Sequence, residues 1–251
     1  MKRCLLLLIL FSFTAPWLFA QQEEEPPIPP KRSRAAKVGA FGGFTPGWLF
    51  VDVKPINDFL QAAGGAPLKD NGVYMLGGGG AAYIMLIPNL RVGGLGMSGS
   101  ITSTSVDAFG VRRDAELHVG FGGVTLEYTM PLAERLDVSL GTMIGGGGID
   151  LILRQDKGGI NLWSGEQYIF QNGSPSMNFK RTLSGSYFIL VPSLNVEYAI
   201  LGWFGVRLGA SYVSMLSPSW TVDDNYELLG VPTNVSGRGF MLNAGLFVGT
   251  F

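Results

Sequence analysis

Beyond residue 20, no uninterrupted apolar run is longer than the seven residues from Ala81 to Ile87. A membrane-spanning helix needs about 20. The chain is nonetheless greasy: 47% of its residues are hydrophobic, only 15% are charged, and mean hydropathy is positive at +0.27. Ordinary soluble domains carry roughly 25% charged residues. Strands that cross a bilayer in a closed barrel need only about 9–11 residues each, and only every second residue meets lipid. An apolar chain without a long apolar run therefore points to a barrel.

The first residues read as an address. Lys2 and Arg3 form a basic start, Leu5 to Phe13 an apolar stretch broken only by Ser12, and Ala20 a small residue before Gln21. Residues 1–20 match a secretory signal, although Leu18 is large for the third position before cleavage. The signal would take Cys4, the single cysteine, with it. That leaves no disulfide, thiolate metal site or cysteine nucleophile. It also takes the basic count from 18 to 16 against 19 acidic residues, a balance that gives no reason to expect nucleic acid. Residues 21–35, with Glu23 to Glu25 followed by Pro26, Pro27, Pro29 and Pro30, cannot bury a core and read as a disordered periplasmic tail.

Residues 36–251 carry a strand rhythm. Eight strand-like stretches are expected: about 36–45, 71–87, 89–104, 113–130, 134–155, 181–199, 203–216 and 237–251. Tight turns at 87–90, 130–134 and 199–203 alternate with longer connections at about 46–70, 105–112, 156–180 and 217–236. Short periplasmic turns and long outer loops are the asymmetry of outer-membrane barrels. The expected fold is all-β: a transmembrane antiparallel up-and-down barrel. Pro46 weakens the first strand, and its continuation through Trp48 to Val53 would call for a bulge.

Alternation assigns the two faces. Leu194, Val196 and Tyr198 alternate with Ser193, Asn195 and Glu197; Val124, Leu126 and Tyr128 alternate with Thr125 and Glu127. The greasy face suits lipid and the other a polar lumen. Arg91, Glu127, Asp137, Glu197 and Arg207 are expected inside, near the periplasmic end, as a mixed-sign cluster. Tyr128, Tyr198, Trp203 and Phe204 flank the tight turns and suit an interfacial girdle. The phase slips at Gly122-Gly123 and across Gly145 to Gly148, which suggests bulges or kinks.

In the first long loop, Pro55 followed by Ile56, Phe59, Leu60 and Ala63 at helical spacing reads as a short helix. The alternatives for Ile56, Phe59 and Leu60 are a plug in the barrel mouth, contact with the outer-leaflet surface, and packing against the extended strand ends. His118, the only histidine, is expected on the lumenal face with Glu116 and Gly120, near Ser98, Ser100 and Ser103. One histidine without cysteine argues against a metal site, and no cofactor motif is present. Trp163, Tyr168, Phe170, Trp220 and Tyr226 fall in outer loops, as contacts for an extracellular ligand or as loop packing.

The chain ends on Phe251, with Phe240, Leu246, Phe247 and Val248 upstream and Gly249 two places before the end. Here the sequence resembles outer-membrane barrels, which typically end in an aromatic residue read by the barrel-assembly machinery. The architecture of residues 36–251 is similar to that of the small eight-stranded barrels of the OmpA transmembrane, OmpX and OmpW type. The resemblance implies residence in a Gram-negative outer membrane, contact with its lipid, and an assembly signal at Phe251. The small strand number and the long aromatic outer loops point to a non-enzymatic structural or surface-interaction role with a largely filled lumen. The alternatives are an OmpW-like channel for small or apolar solutes and a lipid-modifying barrel enzyme using His118.

Overall fold

The computed structural model describes residues 39–84, 86–158 and 178–249. The expected signal 1–20, tail 21–35, assembly residue Phe251 and loop aromatics Trp163, Tyr168 and Phe170 lie outside them. The elements are β1 (Ala40–Phe44), β2 (Gly47–Val51), α1 (Lys54–Ala62), β3 (Val73–Tyr83), β4 (Leu90–Val106), β5 (Arg112–Pro131), β6 (Leu136–Asp156), β7 (Phe179–Ala199), β8 (Phe204–Val222), β9 (Tyr226–Glu227) and β10 (Gly239–Gly249). All pairings are antiparallel, and β10 pairs with both β8 and the first strand, so the sheet closes. No helix among the described residues is long and apolar enough to cross a membrane.

β1 and β2 are one barrel strand, and the ring therefore has eight. The bulge expected at Pro46 is absent. Phe44 faces Leu246 and Gly47 faces Asn243; on the other side they face Gly78 and Met75. No residue is inserted on either side. The Pro46 carbonyl accepts from the Ala244 N–H at 3.0 Å, and only the bond that proline cannot donate is lost. The register also fixes the stagger of the barrel. From Leu49 it runs through Met241, Ser211, Ser193, Gly141, Glu127, Arg91 and Tyr83, whose N–H bonds to Gly39, ten residues back along the starting strand. A stagger of this size over eight strands goes with a tilt of roughly 40° and a lumen that side chains can fill.

The phase slips do not come from bulges. β5 pairs residue by residue with β4 and β6 through Gly122-Gly123 and through Gly145 to Gly148. What changes is which face is apolar. Toward the tight turns, Val124, Leu126, Tyr128 and Met130 point out and are exposed, while Thr125, Glu127 and Thr129 point in and are buried. Beyond Gly122 the same inward face carries Phe121, Val119, Leu117 and Ala115, all buried, and the outward face carries Gly120, His118, Glu116 and Asp114. β6 inverts at the same level: Leu140 and Ile144 point out, and Ile149 and Leu151 point in.

The barrel thus has two sections of opposite polarity. One has a greasy outside and a polar inside, the pattern of a wall in hydrocarbon. The other is an ordinary protein, polar outside and apolar within, its core including Leu117, Val119, Ile149, Ile189, Val213 and Met215. Each fully buried side chain of that size contributes about 1.5–3 kcal/mol. From Met130 to Gly120 is ten residues at about 3.3 Å rise, which at this tilt covers about 25 Å, the height of a lipid-facing band.

Two local devices shape this wall. Gly123 and Gly145 face each other inside, and a Cβ on Gly145 would lie 2.1 Å from the Gly122 carbonyl oxygen. Neither position has room for a side chain unless the facing strand moves. The one irregularity in the β7–β8 ladder falls between Ser186 and Phe188, opposite Ser217 and Pro218. Ser217 has φ 53°, the left-handed conformation of bulges. The extra residue reverses the facing of the strand beyond it and turns Trp220 inward onto Tyr187, ring centroids 6.0 Å apart. Trp220 is therefore a strand residue in the core, not the outer-loop aromatic expected from the sequence; β8 runs to Val222.

The second outer connection is also shorter than expected, only residues 107–111, because β4 and β5 continue beyond the inversion level and finish in a tight hairpin. At its tip Asp107 accepts from the backbone N–H groups of Val111 and Phe109 and from Arg113. The Val111 N–H leads in holding this carboxyl below its ordinary range, followed by Arg113 and Phe109.

Candidate functional site

The lumen is stopped at two places, by different chemistry. Near the tight turns, register sets Arg91 opposite Glu127 and Glu197 opposite Arg207. Arg91, only 1% exposed, donates to both Glu197 oxygens at 2.7 and 2.6 Å and to Glu127 Oε2 at 2.8 Å. Arg207 bonds to Glu127 Oε1 and lies 3.5 Å from Glu197 through Nε. Two cations and two anions make a neutral quartet, the condition for keeping charges out of water. Gly141 makes room for it, since a Cβ there would stand 2.6 Å from Glu127 Cγ. Rings close the gaps: Phe41 and Phe247 meet edge to face at 5.2 Å, with Arg91 over Phe41 at 4.9 Å and Arg207 over Phe247 at 5.8 Å. Asp137, half-buried, faces Glu197 across the β6–β7 ladder.

Above the quartet, Thr125, Asn195, Ser211 and Asn243 line a cavity of about 50 Å³, room for a few waters. Beyond it the lumen is packed with apolar side chains. The polar lumen expected from the sequence is thus confined to one end. The pattern was read near the tight turns, where the wall faces lipid, and does not extend past the inversion.

The outer stop is α1. Ile56 and Leu60 join the core, each 3% exposed, together with Val53 and Leu68. Gly64, at φ 75°, ends the helix, and the Gly65 N–H donates to the Leu60 carbonyl. Two ties hold the loop down. Asn57 donates to the Leu68 carbonyl at 3.0 Å and accepts from its N–H at 2.7 Å; Ser103 donates to the Ala66 carbonyl at 2.8 Å. Phe59, grouped with the plug in the sequence reading, instead stands at the rim, 47% exposed. Helical spacing puts it beside Leu60, but Ile56 and Leu60 are the helix residues that reach the core.

His118 is on the outer wall, not in the lumen. It is 43% exposed on its side chain and faces Ser100 and Asp150 across its two ladders, with Nδ1 3.8 Å from Asp150 Oδ2. The face of Gly120 would be lumenal only if a bulge at Gly122-Gly123 shifted the phase, and the register there is unbroken. On the same face Arg154 pairs with Glu116 at 3.4 Å, and at the rim Arg181 pairs with Asp223 at 2.9 Å. Such pairs contribute little stability but keep the wall wet. Among the described residues, no group of three or more His, Cys, Asp or Glu is placed to hold a metal ion.

Tyr128, Tyr198 and Trp203 are exposed on the outside, and Phe204 lies beside Trp203, the rings tilted by 49° with centroids 5.9 Å apart. The sequence reading missed a second aromatic ring at the other edge of the greasy band: Trp48, Phe50, Tyr74, Phe188, Tyr212 and Phe240, all outward and exposed. Trp48 Nε1 donates to the Asn71 carbonyl at 2.6 Å, so its polar atom is satisfied while its ring faces out. The signal was available as aromatics at alternate positions where the apolar phase ends.

No family model and no curated protein matches this sequence. Solved structures with a similar fold include a major outer membrane protein from Thermus thermophilus, at 11% identity over 85% of this chain and 100% of that chain, with a TM-score of 0.44. Neisserial surface protein A matches at 12% identity over 86% and 99%, with a TM-score of 0.37. Ail, the attachment invasion locus protein of Yersinia pestis, matches at 12% identity over 84% and 98%, with a TM-score of 0.36. At these identities the likeness concerns the fold alone. The closed antiparallel ring, its stagger and its greasy outer band make this chain an eight-stranded up-and-down barrel of the small outer-membrane type.

Proposed function

We propose that this chain is a non-conducting, non-enzymatic barrel of the bacterial outer membrane, and that the section projecting beyond the lipid is its working surface. The observation that carries this reading is the double stop of the lumen. The ion quartet closes one end and the apolar core under α1 closes the other, each independent of the other. A conduit would need both to open. The greasy band with an aromatic ring at each edge supports lipid as the surrounding medium. The projecting section adds a wet, polar wall with short hairpins, suited to contact with molecules outside the cell.

The test is conductance of the refolded chain in planar bilayers. No discrete steps are expected from the full barrel, nor after deletion of residues 56–63, because the quartet still blocks the other end. Steady steps from the full barrel would overturn the reading and favour a channel. Steps only after the deletion would mean that α1 alone keeps the lumen shut.

A further inference from the structure

The outer mouth holds a cavity that the plug does not fill. Its volume is about 240 Å³, and its walls come from three parts of the chain. α1 supplies Ile56 and Phe59, the inner wall supplies Ile149 and Trp220, and the segment after β9 supplies Leu229 and Val235. None of the lining residues carries a charge. A cavity of about 150 Å³ lined this way stays dry and accommodates benzene. Water entering here would find few hydrogen-bond partners, and an empty cavity forfeits dispersion contacts along its whole lining. Both costs are removed by an apolar occupant.

The cavity is built rather than left over. The bulge at Ser217 turns Trp220 inward to form a wall. Gly185 leaves room for that ring, since a Cβ there would lie 2.8 Å from the indole. Gly237 does the same on the opposite side, where a Cβ would meet Met215 and Ile149 at 2.7 and 2.9 Å. The Tyr187 hydroxyl donates to the Val235 carbonyl at 3.1 Å and fastens the segment after β9 over the space. Access is from outside. Phe59 and Leu229 stand exposed at the rim, while Ile149 and Leu151 seal the floor. The barrel wall separates the cavity from the bilayer.

We propose that the outer mouth is a binding site for a small aliphatic molecule, an alkyl or acyl chain of roughly ten carbons, entering from the external medium. The site goes beyond the closed-barrel reading, and the two fail separately: quenching of Trp220 reports the cavity, whereas discrete conductance steps report the lumen.

The test uses the mature chain in lipid nanodiscs, without detergent whose tails would compete. The probe is 10-bromodecan-1-ol, whose bromine quenches indole fluorescence on contact. Saturable quenching is expected, reversed by excess 1-decanol and at least tenfold weaker in Val231→Trp, which places a second ring in the cavity from its loop wall. In Trp220→Phe the saturable part should vanish while the linear part, from Trp48 and Trp203 facing lipid, remains. Purely linear quenching, equal in all three proteins and untouched by decanol, is partition into the bilayer and overturns the site. Saturated Trp220 quenching by nanodisc lipids with brominated chains, before any alcohol is added, would show a lipid source and overturn entry from the medium. Far-UV circular dichroism checks that each variant is folded, and the decanol competition needs no variant.

Discussion

Arg91→Leu is expected to destabilise the barrel by about 3–5 kcal/mol, the range for removing one partner of a buried ion pair. Arg91 makes three of the hydrogen bonds that hold the quartet, two to Glu197 and one to Glu127. Without it, Arg207 faces two buried carboxylates and reaches Glu197 only at 3.5 Å. The few waters that the neighbouring cavity holds make good only part of the loss, because Phe41, Phe247 and the strand wall close off the rest of the cluster. The double variant Arg91→Leu/Glu197→Leu should regain much of the loss, since it replaces a bidentate pair by apolar groups and leaves Arg207 with Glu127. Urea titration of the barrel refolded in vesicles measures both. A loss below about 1 kcal/mol for the single variant, or a double variant no more stable than the single, would contradict the description of the quartet as buried and mutually neutralised.

Adjacent glycines should respond in opposite ways. Gly145→Ala is expected to cost about 3 kcal/mol or more, at the upper end for overpacking, because its Cβ would stand 2.1 Å from the Gly122 oxygen and 2.5 Å from the Gly123 Cα. Those are backbone atoms, so two strands must separate. Gly146→Ala points outward, and its nearest neighbour would be the Tyr187 oxygen at 4.0 Å. It should fall within about 0.5 kcal/mol of the parent, with a small gain from a stiffer unfolded chain. The same urea titration compares them. Equal effects would mean that inside and outside are wrongly assigned at this level, and with them the continuous register across Gly145 to Gly148.

These glycines also show how far the sequence was legible. Strand number, antiparallel order and the tight turns followed from spacing alone, because period-2 alternation and chain-reversing residues are local signals. The charged residues of the quartet were legible one by one, as polar members of an alternating face. Their pairing was not, since Arg91 and Glu197 meet across the barrel. The inversion was visible as a phase change at Gly122-Gly123, but a phase change has two causes: an inserted residue, or a change in the medium around the wall. Only the ladder distinguishes them. That ambiguity misplaced His118. Trp220 failed the other way: a real insertion at Ser217 lay beside Pro218, which reads as the end of a strand. At Pro46 the expected bulge did not form, because a proline whose carbonyl still accepts can remain in a strand at the loss of one bond.

The most direct measurement is the reactivity of single cysteines in intact cells. With Cys4, the only native cysteine, changed to serine, one cysteine at a time is placed at 118, 150, 126, 140 or 117. A membrane-impermeant maleimide is added from outside. Positions 118 and 150 should react at the rate of exposed thiols. Positions 126 and 140, in the greasy band, and 117, in the apolar core, should stay unlabelled until the protein is unfolded. If 118 and 150 are protected like 126 and 140, lipid covers both sections of the wall, and the inversion of polarity is not the edge of the membrane.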